Sequence, residues 1–267
     1  VYLCDGIRAP FGRYKGGLSA IRTDDLAALP LRHLLAKYPQ LAGHIDEVIL
    51  GCANQSGEDN RNVARMATLL AGLPESTPAV TVNRLCASGL EAIGQGARAI
   101  ALGEADIILA GGVESMSRAP YVMAKALEGF ERTQQLEDST LGWRMINPKM
   151  REAYGVDSMA QTAENLAEQF GISRSDQDAF AWRSQQRAAT AIADGRLDGE
   201  ILSAGALTHD EHPRADTTLE KLAALKPITH AGGSITAGNA SGLNDGSAAL
   251  LLASASALEK YGLSPRA

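Results

Sequence analysis

The segment Val82-Asn-Arg-Leu-Cys-Ala-Ser-Gly89 sets a cysteine where a short β-branched run ends and a helical pattern begins. A helix N-terminus presents unpaired N–H groups and the positive end of the macrodipole, which favour an anionic and therefore nucleophilic sulfur. Ala87, Ser88 and Gly89 are small enough to let a substrate carbonyl come close, and the Cys86 N–H is placed to donate to an oxyanion forming there. A buried structural thiol is the commoner fate of a lone cysteine, and the segment alone leaves that alternative open. Cys4 and Cys52 lie on strand-like runs without such a turn and read as structural.

Two further segments carry the small residues and sharp turns that line ligand sites. Thr236-Ala-Gly-Asn-Ala-Ser-Gly-Leu-Asn-Asp-Gly246 reads as a loop whose backbone approaches another surface or a ligand. A tight connection ahead of the next strand is the plainer reading of the same composition. Ala110-Gly-Gly-Val-Glu-Ser-Met-Ser117 is a turn at the C-terminal end of a strand, where open α/β sheets bind ligands. Other patterns dissolve on inspection. Gly94-Gln-Gly-Ala-Arg-Ala99 matches a dinucleotide fingerprint only formally, because it falls inside a helical pattern instead of opening one. His209-Asp-Glu-His212 has the spacing of no zinc motif, and the charged stretch around Arg183–Arg187 reads as a solvated helix face.

These segments hang on an alternation of two periods. Short β-branched runs at 1–3, 47–51, 79–83, 106–110 and 247–253 read as buried strands. Helical patterns cover about 23–37, 62–71, 86–102, 158–170, 175–194 and 256–261. Thr23-Asp24-Asp25 supplies the first helix with a cap and an acidic first turn, and Pro30 marks a kink in it. Strands alternating with helices imply an α/β fold with a largely parallel sheet. Residues 118–155 lose all periodicity, so the sheet domain is interrupted by an insertion. A chain of 267 residues has room for this. Its net charge of −6 and lack of a basic run argue against nucleic acid as a partner. No apolar stretch spans a membrane and no signal-peptide pattern opens the chain. Three scattered cysteines fit a reducing compartment, and a cytoplasmic protein is expected.

The stretches NRLCASG, AGGVESMS, TAGNASGLNDG and the opening DGIRAPFG, in these positions, closely resemble the thiolase family. Within it, VILGCANQSGEDNRNVARMA, LGWRMINPKM and YGVDSM are most similar to thiolases acting on 3-oxoadipyl-CoA in aromatic catabolism; thiolases for acetoacetyl-CoA or general 3-ketoacyl-CoA share most of the pattern. The resemblance implies a mixed five-stranded sheet flanked by helices, with a mostly helical loop domain inserted. It implies residues 1–118 and 231–267 as the N-terminal α/β domain and 119–230 as the insertion that binds coenzyme A. It also implies an acyl-enzyme on Cys86, a homodimer or homotetramer, and coenzyme A thioesters as substrates with no metal and no further cofactor. Arg214 and Ser241 take the family's coenzyme A positions, Ser158 stands where some thiolases carry a histidine near the pantetheine, and Met159 lines the substrate channel. A helical Met is as readily plain core.

Thiolases have a second α/β half with an NEAF-type motif, a GHP-type histidine and a second cysteine. None of these occurs here, and His33, His44, His209, His212 and His230 lie in none of those contexts. The expectation is a chain lacking the C-terminal thiolase domain, a poor catalyst alone. The rival expectation is a non-catalytic, oligomeric module that binds coenzyme A or lipid. The stretch between Gly205 and His209 is shorter than the hairpin usual in the family.

Overall fold

The structure, a computed structural model, describes all of Val1–Ala267. In chain order the elements are β1 (Tyr2–Arg8), β2 (Gly12–Arg13), α1 (Thr23–Lys37), β3 (Glu47–Gly51), α2 (Val63–Leu70), β4 (Ala79–Val82), α3 (Ser88–Leu102) and β5 (Ile107–Ser115). There follow β6 (Tyr121–Met123), β7 (Leu136–Asp138), α4 (Pro148–Tyr154), α5 (Met159–Phe170), α6 (Arg174–Ala193) and α7 (Leu219–Ala223), and then β8 (Asn244–Ala253) and α8 (Ala255–Tyr261). The chain folds as two compact units. The first comprises Val1–Pro120, Gly199–Glu211 and Asn244–Ala267, and the second Tyr121–Asp198 and His212–Leu243.

The first unit is a mixed sheet in the order β1-β8-β5-β3-β4, with β2 pairing the start of β8. β3 runs parallel to β4 and β5, whereas β8 runs antiparallel to β1 and β5. The alternation of periods pointed to a largely parallel sheet; half of it is antiparallel, because an apolar run marks a strand as buried and says nothing of its direction. Side chains alternate across the sheet as a period of two requires. Val48, Leu50, Ile107, Leu109, Leu251 and Ala253 join the core under α1 and α2. Ile49, Ile108, Ala110 and Leu252 face the other way, against Ala92 and Ile100 of α3. Helices on both faces explain why β3 and β5 read as unbroken apolar runs.

Pro30 lies within α1 and the helix continues through it. Proline has no N–H for the carbonyl four residues earlier, and that carbonyl, Leu26 O, accepts a hydrogen bond of 2.7 Å from the buried Ser247 hydroxyl of β8. The expected cap at Thr23 does not form. Arg22 holds the cap position without a side-chain hydrogen bond, and the Thr23 N–H donates to Glu58 Oε2 at 3.1 Å.

The two compact units exchange segments more than once along the chain. Segment Gly199–Glu211 belongs with the sheet: Arg8 exchanges backbone bonds with Glu200 and Leu202, and its guanidinium pairs with Glu200 and Asp210. Residues 231–243 belong to the second unit, where buried Glu164 of α5 accepts from the Ser234 and Ile235 N–H groups and from the Ser234 and Thr229 hydroxyls. Sequence periodicity does not show either attachment, since Arg8 and Glu164 reach partners far along the chain. The second unit otherwise consists of the β6–β7 hairpin and four helices. Arg174 braces it by donating to the Leu222 and Leu225 carbonyls at the end of α7.

Replacing the hydroxyl in Ser247→Ala leaves Leu26 O buried without a donor, at a cost of about 1–3 kcal/mol. Denaturant unfolding reads this as a lower midpoint at unchanged slope; an unchanged midpoint would show that the proline's carbonyl needs no partner.

Candidate active site

Cys86 stands two residues before α3, on the turn that leaves β4. The turn closes on itself: Ser88 Oγ accepts from the Arg84 N–H at 2.8 Å and donates to Leu85 O at 2.6 Å, and the Ala87 and Ser88 N–H groups return to Arg84 O and Leu85 O. Leu85 takes the left-handed conformation, φ 50°, which branched residues seldom adopt. The start of α3 lies directly on β3. A Cβ on Gly51 would overlap the Ser88 carbonyl and the Gly89 nitrogen, so only glycine lets the helix come this close.

The three cysteines differ sharply. Cys86 is exposed, while Cys4 and Cys52 are buried. Burial pushes both buried thiols up, reinforced by Asp5 beside Cys4 and by Glu114 and Asp59 beside Cys52. Cys52 forms a buried group with Asp59 and Glu114 in which one ligand-type atom from each lies within 4.8 Å of the others. Their acceptors are spoken for. Glu114 accepts from the Ala53 and Asn54 N–H groups at 2.9 and 3.0 Å, and Asp59 from Gln55 and Gly57 at 3.1 and 2.8 Å. Burial raises the Glu114 carboxyl above the ordinary range, only partly offset by those two N–H donors. The sequence reading singled out neither Asn83 nor Glu114, although both sit inside its motifs.

The remaining site residues all lie on the second unit. Ser158 is the N-cap of α5 and accepts from the Gln161 N–H at 3.2 Å. Met159, the first helical residue, is 71% exposed, so it is not core. Arg214 has an exposed side chain, and its backbone N–H donates to Gln185 of α6 at 2.8 Å. Ser241 is also exposed. The loop before it is a tight structure: Asn239 Oδ1 accepts from the Thr236 N–H at 2.7 Å, and its amide donates to Asp178 at 3.0 Å and Ser234 O at 3.1 Å. Burial opposes ionisation of Glu164, which anchors the segment leading in, yet its four donor groups hold it down to about 2.

Two patterns set aside in the sequence are occupied otherwise. Gly94–Ala99 lies within α3, with Gly96 packed against Leu252 and Ile108. In His209–His212, Asp210 binds Arg8 and the Phe11 N–H, and Glu211 accepts from the Arg13 and Gly17 N–H groups. His212 Nε2 lies 3.2 Å from Leu243 O, His230 Nδ1 lies 3.1 Å from Ala231 O, and His44 stacks on Tyr261. No helix is long and apolar enough to cross a membrane.

A mixed sheet between helices, with an exposed cysteine on a strand-to-helix turn, defines an α/β protein. Residues 1–256 match the family described as thiolase, N-terminal domain. The chain is 60% identical to the beta-ketoadipyl-CoA thiolase of Pseudomonas aeruginosa, over all of this chain and 69% of that protein. It is 44% identical to the acetyl-CoA acetyltransferase of the same organism, over 98% of this chain and 68% of that one. Among solved structures, human mitochondrial 3-ketoacyl-CoA thiolase in complex with CoA superposes with a TM-score of 0.89 at 36% identity, covering 99% of this chain and 67% of that one. The chain belongs to the thiolase family, whose members are acyltransferases. The 60% alignment runs over 276 positions against 267 residues here, so that relative carries residues this chain lacks within the matched span.

Native protein treated briefly with iodoacetamide should carry one label, on the peptide containing Cys86, with Cys4 and Cys52 labelled only after unfolding. Label on Cys52 in the native state would contradict the burial described.

Proposed function

We propose that the protein cleaves 3-oxoadipyl-CoA with coenzyme A to give succinyl-CoA and acetyl-CoA, through an acyl-enzyme on Cys86. The observation that carries the reading is the single exposed cysteine on the α3 turn. The Cys86 thiolate attacks the keto carbon, and the bond between that carbon and the CH2 beside the thioester breaks. The electron pair leaves as the enolate of acetyl-CoA, which takes a proton, and succinyl stays on sulfur. The thiol of a second coenzyme A then attacks the succinyl thioester, releasing succinyl-CoA and the Cys86 thiolate. Two half-reactions sharing one covalent intermediate give ping-pong kinetics. The thioester stabilises the carbanion, so the chemistry asks for no metal and no cofactor besides coenzyme A as substrate.

The identity of 60% to a beta-ketoadipyl-CoA thiolase against 44% to an acetyl-CoA acetyltransferase supports the longer, dicarboxylic substrate. We assign Arg214 to the nucleotide phosphates, where a guanidinium fits an anion, and Ser241 to coenzyme A on the loop Asn239 organises. Met159 is assigned to the channel and Ser158 to the pantetheine end, where its cap bond still leaves the hydroxyl proton free to donate. Three free cysteines suit a cytoplasmic setting. β4 ends the sheet, and Val80, Met66, Leu69, Leu85 and Leu90 near it are exposed, which supports a second copy of the chain against this edge, as homodimer or within a homotetramer. Light scattering reading a monomer would remove that part.

With the intact protein, kcat/KM for 3-oxoadipyl-CoA should exceed that for acetoacetyl-CoA at least about tenfold, and Cys86→Ser should lower it by about a thousandfold or more. Equal constants for the two thioesters would refute the substrate. Coenzyme A binding without turnover would favour a non-catalytic module.

A further inference from the structure

We propose that Asn83 is a positioning residue for Cys86, tying the turn that carries the thiol to a loop that Glu114 clamps from β5. The proposal rests on the reading of Cys86 as nucleophile. Asn83 Oδ1 accepts from the Leu85 N–H at 2.9 Å, and Asn83 Nδ2 donates to Ala53 O at 3.1 Å. Ala53 is itself fixed. Its N–H and that of Asn54 reach the two oxygens of Glu114, whose strand runs parallel to β3 with Gly112 opposite Gly51. The chain of contacts therefore runs from β5 through the loop after β3 to the residue before Cys86. It links the three motifs that resemble thiolases in this part of the chain.

Leu85 explains why the tie is needed. A branched residue keeps a left-handed backbone only where its surroundings hold it. The Leu85 side chain is 71% exposed, so packing within the chain does not impose that conformation. Hydrogen bonds do. The Leu85 carbonyl is taken by Ser88, the buried first residue of α3. Its N–H is taken by Asn83, whose side chain adds a separate tie to the loop after β3. Releasing Leu85 to an extended conformation would swing the next residue, Cys86, away from the start of α3.

The test is the rate of acetyl transfer from acetyl-CoA to Cys86 in the intact protein, with hydrogen exchange of segment 83–88 measured in parallel by mass spectrometry. Asn83→Ala should slow acetylation about tenfold to a hundredfold and speed exchange in 83–88 while leaving the sheet protected. The double variant Asn83→Ala with Leu85→Gly should recover most of the rate, because glycine adopts the positive φ unaided. A residue needed only for folding would give no such rescue. Asn83→Ala with parental acetylation and parental exchange would overturn the proposal, as would a loss that Leu85→Gly does not relieve. Wild-type protein that never acetylates Cys86 would instead sink the nucleophile reading. The tie itself would then stand or fall on exchange at 83–88.

Discussion

The start of α3 rests on β3 at Gly51, where the backbone leaves no room for a side chain, and the placement of Cys86 follows from that contact. With any Cβ at Gly51 the helix would have to lift from the sheet, and the turn before it would move as well. The neighbouring strands obey the same restriction. A Cβ on Gly111 would run into Ala248 O of β8, and one on Gly112 would come within 2.8 Å of Gly51 O. β3 and β5 thus meet as bare backbone at Gly51 and Gly112, with Gly111 close against the Ala248 backbone of β8. The helix N-terminus and the turn that carries Cys86 sit on that platform.

What surrounds the platform is polar and buried, which sets it apart from the rest of the sheet. Along most of their length the strands alternate aliphatic side chains into two cores. Near the ends, Glu114, Asp59, Ser115 and Asp245 replace them. They make local hydrogen bonds: Asp245 Oδ1, for instance, accepts from the Ser117 N–H at 2.9 Å and the Ser115 hydroxyl at 3.2 Å, while its Oδ2 is buried without a partner. Such groups add little net stability over apolar packing, but they fix irregular backbone in one arrangement. The second unit uses the same device. Glu164 and Asn239 gather the backbone of the segment that leads to Ser241, the way Glu114 and Asn83 gather the loops around Cys86. In both units the core holds the scaffold, and an acid and an asparagine shape the loop through its backbone groups.

Much of this was legible in the sequence, and the reasons are physical. β3 and β5 announced themselves because burial on both faces demands unbroken aliphatic runs, and α1, α3 and α5 because one face of each is apolar. Cys86 stood out because a thiol among small residues at a strand-to-helix junction is chemically unusual. Strand direction was invisible, since β8 reads alike in either sense, and so was the attachment of 199–211, which depends on Arg8 meeting Glu200 and Asp210 across nearly two hundred residues. The partner of the carbonyl that Pro30 leaves free, the Ser247 hydroxyl, was equally hidden, on a strand more than two hundred residues away. Asn83 and Glu114 escaped notice for a similar reason: their importance lies in which backbone groups they reach, and an Asn or Glu in a motif does not say.

The account stands on a covalent acyl group at Cys86. The most direct measurement is peptide mass analysis of the protein quenched after reaction with 3-oxoadipyl-CoA, with coenzyme A withheld. The account predicts a succinyl group on the peptide that contains Cys86, removed on adding coenzyme A. Reaction with no modified cysteine, or with the acyl group on Cys4 or Cys52, would contradict it.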